Sequence, residues 1–224
     1  MDSRSLPEII PVFPLTGVLL LPGMVLPLQI FEERYRNMLA DAQAGEGWIG
    51  MVQPKSPRQD NRPPPGSELD IPELYPVGCL GRLEKSKKAA EGSYLVALRG
   101  VSRFRIRKEM DSHQGYRRVA TDYSGFEWDG KEEQTPFEAT RLVLAVREWA
   151  IAQGMDVEKA NFAGLEGTSA LNGLAMTLPL APAEKQALLE APSLAEREQI
   201  MLGLLRMGIE EVRDDGNVVS PTLN

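Results

Sequence analysis

The sequence predicts an α+β protein in two subdomains, with the strands first and the helices second. Two observations predict it. Short apolar runs with strand-like alternation fill the first half, and helical spacing of apolar residues fills the second. The two kinds of segment are segregated, not alternated as a parallel α/β sheet would require. The expected organisation is a β-rich unit over 1–127, a linker over 128–134, a helical unit over 135–213 and a frayed tail over 214–224.

Ile9–Phe13 and Val25–Ile30 are apolar runs whose prolines, Pro14 and Pro27, suit strand ends and sheet edges. A helix follows, because Phe31, Tyr35, Met38, Leu39 and Ala42 recur at helical spacing and Gly45 and Gly47 stop it. Trp48–Val52 reads as a strand. Residues 54–72, with three consecutive prolines at 63–65, read as a long extended surface loop. Tyr75–Glu84, Tyr94–Arg99 and Arg103–Lys108 read as strands, divided by the turn Glu91-Gly92 and a break at Gly100. In the last of these, Phe104 and Ile106 point one way and Arg103, Arg105 and Arg107 the other. Tyr116–Tyr123 is a candidate closing strand.

The helical half follows the polar stretch Asp129-Gly130-Lys131-Glu132-Glu133. Thr135-Pro136-Phe137-Glu138 supplies a helix start, and Leu142, Ala145, Val146 and Trp149 share one face of that helix. Val157–Phe162 is a short helical candidate. Leu171, Leu174, Ala175 and Leu178 form a second stripe, Pro182 opens a short helix with Leu188 and Leu189, and Ser193-Leu194-Ala195-Glu196 is a capping box. That box opens a helix carrying Met201, Leu204, Leu205 and Ile209.

Composition narrows the chemistry. The formal charge of −7 opposes a polyanionic partner. One cysteine, Cys79, and one histidine, His113, exclude an internal disulfide and a Cys/His metal cluster; a carboxylate-only Mg²⁺ or Ca²⁺ site fits the count, but no EF-hand spacing occurs. The apolar stretch Ile9–Ile30 is too broken by Pro11, Pro14, Pro22 and Pro27 to read as a membrane span, so a soluble, cytoplasmic protein is expected. His113 in Asp-Ser-His-Gln-Gly reads as an exposed loop residue, and Cys79 as a buried small hydrophobe.

Three stretches resemble the N-terminal substrate-recognition domain of Lon-type ATP-dependent proteases. They are PVFPLTGVLLLPGMVLPLQIFEERYRNML from Pro11 to Leu39, VGCLGRLEKSKKAAEGSYLVALRGVSRFRIRK from Val77 to Lys108, and a stretch from Leu171 to Leu205 that holds LPLAPAEKQALLEAPSLAEREQIMLGLL. Their order and spacing cover most of the chain; the long Pro-rich loop departs from the pattern. The resemblance implies a PUA-like β pseudobarrel with one helix, followed by a C-terminal helical bundle, and a role in engaging unfolded or tagged polypeptides. No G-x-x-x-x-G-K-[ST] phosphate cradle occurs, and no ATPase or peptidase module is expected to follow Asn224. The expectation is therefore a stand-alone, non-catalytic binding protein without cofactor, an adaptor or regulator in protein quality control. Its expected partners are polypeptide clients and a Lon-type protease.

By resemblance, the candidate polypeptide-binding residues are Leu19, Leu20, Leu21, Met24, Glu33 and Arg34. The leucine turn is too apolar for an ordinary solvent loop, and an extended segment cannot turn all three leucines inward. Core packing is the competing reading for the leucines, and the helix dipole alone accounts for the acidic start of the helix. The alternative function is RNA binding by a cationic sheet face with Arg99, Arg103, Arg105, Arg107, Lys108, Arg117 and Arg118. The competing reading there is a solvated outer face, and Phe104 lies opposite the arginines, which weakens base stacking.

Overall fold

The computed structural model describes residues 6–55, 72–89, 92–129, 140–155 and 167–216. Six strands are present in it: β1 (Ile9–Pro14), β2 (Val25–Ile30), β3 (Trp48–Val52), β4 (Val77–Lys88), β5 (Tyr94–His113) and β6 (Tyr116–Asp122). The helices are α1 (Glu33–Ala44), α2 (Thr140–Ala152), α3 (Gly167–Thr177), α4 (Pro182–Glu190) and α5 (Leu194–Gly216). The Pro-rich loop between 56 and 71, the helix start at Thr135, the pair Glu132-Glu133 and the candidate helix Val157–Phe162 lie outside the described residues.

The strands pair in the order β2-β5-β4-β3-β1-β6, and β6 also pairs with the far half of β5. The pairings therefore run in a circuit through β5, β4, β3, β1 and β6, with β2 attached to β5 outside it. All neighbours are antiparallel except β1 and β3, which are parallel because β2 and α1 intervene between them in the chain. Pro27 is tolerated because β2 pairs on one side only.

Each face of the circuit carries its own core. Ile10, Val12, Val52, Leu80, Phe104 and Val119 pack together on one face. On the other, Met51, Val77, Cys79, Val96 and Leu98 join α1 and all four later helices in one continuous cluster. β3 and β4 are thus covered on both sides, which is why Ile49–Val52 and Val77–Gly81 are buried without alternation. A Cβ on Gly78 would sit 2.6 Å from Met51 O and 2.8 Å from the Phe104 ring, so the strand approaches its neighbours as only glycine allows.

Two strand expectations change. Tyr94–Arg99 and Arg103–Lys108 are one strand of 20 residues, not two divided by a break at Gly100. Gly100 is there for contact: a Cβ would lie 2.1 Å from Leu21 O. The Gly23 N–H donates to Gly100 O, and the Gly100 N–H to Met24 O. The register then steps from Gly81↔Gly100 to Leu80↔Ser102, leaving Val101 as a bulge that bends the strand. Phe31, expected on the α1 stripe, is 54 % exposed, because it precedes the helix and only Tyr35, Met38, Leu39 and Ala42 reach the core.

The helical half follows its apolar stripes. Leu142, Val146 and Trp149 of α2, Leu171, Leu174 and Ala175 of α3, and Met201 and Leu205 of α5 are buried. Ser193 Oγ accepts the Glu196 N–H at the start of α5. At α4, the Glu184 carboxylate accepts the Ala181 N–H, the half of a capping box that an alanine N-cap leaves possible. Among the described residues, no helix is long and apolar enough to cross a membrane.

Gly100→Ala is expected to destabilise the protein by about 1–3 kcal/mol, through forced displacement of the Leu21 backbone. Gly203→Ala, where a Cβ meets nothing within 4 Å, should instead stabilise α5 by roughly 0.5–1 kcal/mol. At roughly 2–4 °C per kcal/mol, thermal melting of the two variants resolves the opposite signs.

Candidate functional site

The segment Leu15–Met24 joins β1 to β2 and carries four of the sequence candidates. It has no regular structure, so its backbone groups need partners from elsewhere. Gln53, itself 1 % exposed, accepts the Gly17 N–H on its Oε1 and donates from Nε2 to Pro182 O and Gln186 Oε1. Lys185 Nζ donates to Gly17 O and Met176 O, and burial pushes its ammonium pKa below the ordinary lysine value. Gln186 Nε2 donates to Val77 O at the start of β4. The segment is therefore held between the sheet and α3 and α4.

That placement corrects the exposure expected for Leu19, Leu20 and Leu21, which are 2, 1 and 0 % exposed. An extended segment does present alternate faces, but both are covered. A Cβ on Gly81 would lie 3.0 Å from Leu20, on the sheet side, and one on Gly173 of α3 would lie 3.6 Å from the Met24 methyl. Met24 is half-buried, Glu33 is exposed, and Arg34 is half-buried. Arg34 pairs with Glu32 at 2.8 Å, stacks over Tyr35 and lies against Gly115 in the β5–β6 turn. The six candidates thus divide among the core, its rim and the start of α1.

The arginine row also divides. Alternation places Arg103 on the correct side of β5, but its face is covered there, so the expected solvated position is corrected. Its Nε and Nη2 hold Asp129 Oδ1 at 3.0 and 2.8 Å, and its backbone N–H donates to Asp129 Oδ2. Its Nη1 donates to Leu189 O and Ala191 O, the last carbonyls of α4. Arg197 of α5, fully buried, donates to Leu188 O and to Asn172 Oδ1. Asp129, expected in a solvated linker, is 6 % exposed. Arg103, Asp129, Lys185, Gln186, Arg197, Gln53 and Asn172 form a buried polar seam joining the strand half to the helical half. Length and charge hide such residues from hydropathy; what could have flagged them is that Arg103, Lys185, Gln186 and Arg197 all stand in the stretches quoted for the resemblance.

Farther along β5 and β6 the cations are engaged at the surface. Arg107 pairs with Asp122, Arg117 with Glu109, and Arg118 with Asp111 O. Cys79 is buried as expected, and desolvation, followed by the nearby Asp129 charge, pushes its thiol well above the ordinary range. His113 is exposed at the end of β5, with Nε2 3.6 Å from Asp41. Among the described residues, no group of three or more His, Cys, Asp or Glu is placed to hold a metal ion.

One sheet face sets exposed apolar residues beside exposed lysines. The register sets Pro27, Ala97 and Lys85 in one row and Gln29, Leu95 and Lys87 in the next. Leu95 is 50 % exposed, and Val25, at the start of β2, is 39 % exposed.

A family model described as the ATP-dependent protease La (LON) substrate-binding domain matches residues 9–207. The chain belongs to this family. It is 27 % identical to the Lon protease of Flavobacterium johnsoniae over 98 % of this chain and 26 % of that protein. Identity to Lon protease 2 of Myxococcus xanthus is 25 %, over 92 % of this chain and 24 % of that protein. The chain thus spans about a quarter of the length of these curated relatives. The fold resembles the crystal structure of a Lon N-terminal domain protein from Xanthomonas campestris, with a TM-score of 0.59 and 20 % identity, over 87 % of this chain and 97 % of that one. It also resembles the N-terminal domain of Mycobacterium avium complex Lon protease, with a TM-score of 0.55 and 18 % identity, over 89 % and 98 % of the two chains.

In this Lon substrate-binding domain the seam is predicted to dominate stability. Asp129→Ala strands a buried guanidinium and should cost about 3–5 kcal/mol, whereas Arg105→Ala, on the exposed part of the same strand face, should cost under about 1 kcal/mol. Urea unfolding of both variants checks the difference; similar midpoints would show that the seam is not what holds the halves.

Proposed function

We propose that this chain is a non-catalytic polypeptide-binding unit that acts as an adaptor or regulator in protein quality control. The observation that carries the reading is the match of a substrate-binding domain over residues 9–207. In architectural terms we read the strand circuit with α1 as a PUA-like pseudobarrel and α2 to α5 as a helical bundle. The units are then 1–127 and 135–216, with 128–134 between them; the tail expected from residue 214 is corrected at its start, since α5 runs to Gly216. Clients would be unfolded or tagged polypeptides, and a Lon-type protease the partner to which they are passed.

The binding surface we assign is the outward face of β2 and β5, centred on Val25 and Leu95 and rimmed by Met24. Exposed apolar residues grouped on an accessible sheet face lose hydration when an extended chain covers them. Among the sequence candidates, Met24, Glu33 and Arg34 are at least partly accessible, and Leu19, Leu20 and Leu21 would support the surface from beneath. The groups most suited to covalent or acid–base catalysis do not converge: the thiol of Cys79 is buried and protonated, and His113 lies on the surface. The RNA-binding alternative gains no support from the arginine row, since Arg103, Arg107 and Arg117 each face a carboxylate.

The test is capture of a reduced, carboxymethylated client by the purified chain, followed by fluorescence anisotropy. Val25→Ser with Leu95→Ser should weaken capture by about tenfold or more, since about 1.4 kcal/mol is a factor of ten and each side chain offers a fraction of the ~1.5–3 kcal/mol of full burial. Its thermal midpoint should stay close to that of the parent. Incubation with ATP and Mg²⁺, or with denatured casein, should give no turnover. Failure of the parent chain to capture any unfolded client, or activity that follows the protein peak on repurification, would overturn the proposal.

A further inference from the structure

We propose that the β2-β5-β4 face selects extended segments that carry two acidic side chains and an apolar one at successive alternate positions, all on one face; this rests on the polypeptide-binding reading above. Lys85 and Lys87 are exposed, and Cα pairing puts Lys85 beside Ala97 and Pro27, and Lys87 beside Leu95 and Gln29. A column of ammonium groups therefore runs alongside a column of apolar surface, one strand spacing of about 4.8 Å away. The neighbouring guanidiniums are already engaged. Arg99 is held by Glu84 and Gly23 O, and Arg82 stacks over Trp48 at 4.7 Å. Among the described residues, Lys85 and Lys87 have no ion-pair partner. Two like charges left open on a chain of net charge −7 mark a local reversal of sign.

The spacing defines what fits. Lys85 and Lys87 are two residues apart on one strand, about 6.6–6.8 Å, which is the repeat of same-face side chains in any extended peptide. Carboxylates at alternate positions of a bound segment would meet them in register. An apolar side chain of the same segment, angled across one strand, would cover Leu95. The overall negative charge opposes approach, but only beyond contact range, since fields are screened over about 8 Å at physiological ionic strength.

Main-chain recognition at the free edge is restricted. The Gly100 N–H to Met24 O bond sets the alternation, so Val25, Pro27 and Gln29 turn their backbone groups away from β5. Pro27 has no N–H, which leaves the middle of that edge without a donor. Selectivity must then come from side chains. An RNA strand would satisfy the lysines but leave Leu95 and Val25 uncovered, and the rows hold no aromatic ring on which a base could stack.

The experiment uses the full chain and short fluorescent peptides with two aspartates at i and i+2 and a leucine at i+4, on the same face. The aspartate peptide should bind at least tenfold tighter than its asparagine isostere, and the difference should shrink with added salt. Lys85→Glu with Lys87→Glu should lose the preference for aspartate while keeping the parent's thermal midpoint. A reduced, carboxymethylated client serves as the second probe. If the client is captured but aspartate and asparagine peptides bind alike, the acidic preference is wrong and the general binding reading stands. If the client is not captured at all, the general reading fails. Equal displacement of the aspartate peptide by polyuridylate and by unlabelled peptide would overturn the proposal in favour of a simple anion site.

Discussion

A guanidinium taken out of water must replace its whole hydration shell with fixed oxygens, and Arg103 draws those oxygens from two distant parts of the chain. Asp129 supplies the charge from the segment after β6, and Leu189 and Ala191 supply carbonyls from the end of α4. The arrangement is more than an ion pair. Helix α4 ends without a glycine, and its last carbonyls would otherwise face a closed interior. Arg103 takes two of them and Arg197 takes Leu188 O, so two positive charges cap the negative end of one helix dipole. A buried pair of this kind adds little net stability over a well-packed apolar replacement, yet it is costly to break. Its value lies in direction: these bonds form only when β5, residues 126–129 and α4 adopt one mutual placement.

Helix α4 carries that placement to the rest of the molecule. Lys185 reaches the β1–β2 segment, Gln186 reaches β4, and Pro182 O receives Gln53 from the end of β3. A nine-residue helix would be marginal alone, and here Lys185, Gln186, Leu188 and Leu189 bury one side of it against its partners. Residues Leu15–Met24 are pinned between sheet and helices, so the leucines there reach the surface only if the seam opens. Val25 and Leu95, on the outward face of β2 and β5, are exposed without any such opening.

Elements with one apolar face were legible because burial on one side leaves a periodic record. Val25–Ile30 has the bounds read from sequence, and the stripes of α2 and α3 point where their spacing said. Elements covered on both sides left no such record. Alternation assigned Arg103 to the outer face of its strand and was right about direction, but periodicity cannot say that residues 126–129 and α4 close over that face. Gly100 failed for a related reason. A glycine that breaks a strand and a glycine that lets another backbone approach are the same letter, and only the 2.1 Å clash with Leu21 O separates them. The leucine turn looked accessible because an isolated extended segment always has a free face, and the seam removes it.

This division bears on how family membership relates to recognition. Arg103, Lys185 and Gln186 stand in the stretches by which the chain resembles its relatives and serve contact between the halves, while Gly100, in the same stretches, lets β5 meet the β1–β2 segment and Arg197 ties α5 to α3 and α4. Such residues are strongly constrained in type, because a guanidinium fork or a missing Cβ has no close substitute. Outward residues such as Leu95, Lys85 and Lys87 meet no comparable constraint, since an exposed position on a paired strand tolerates most side chains. A domain can therefore keep its architecture while its outer face changes from apolar to cationic or acidic. The motif then reports how the elements are joined, and it leaves the outward positions of β4 and β5 open to change.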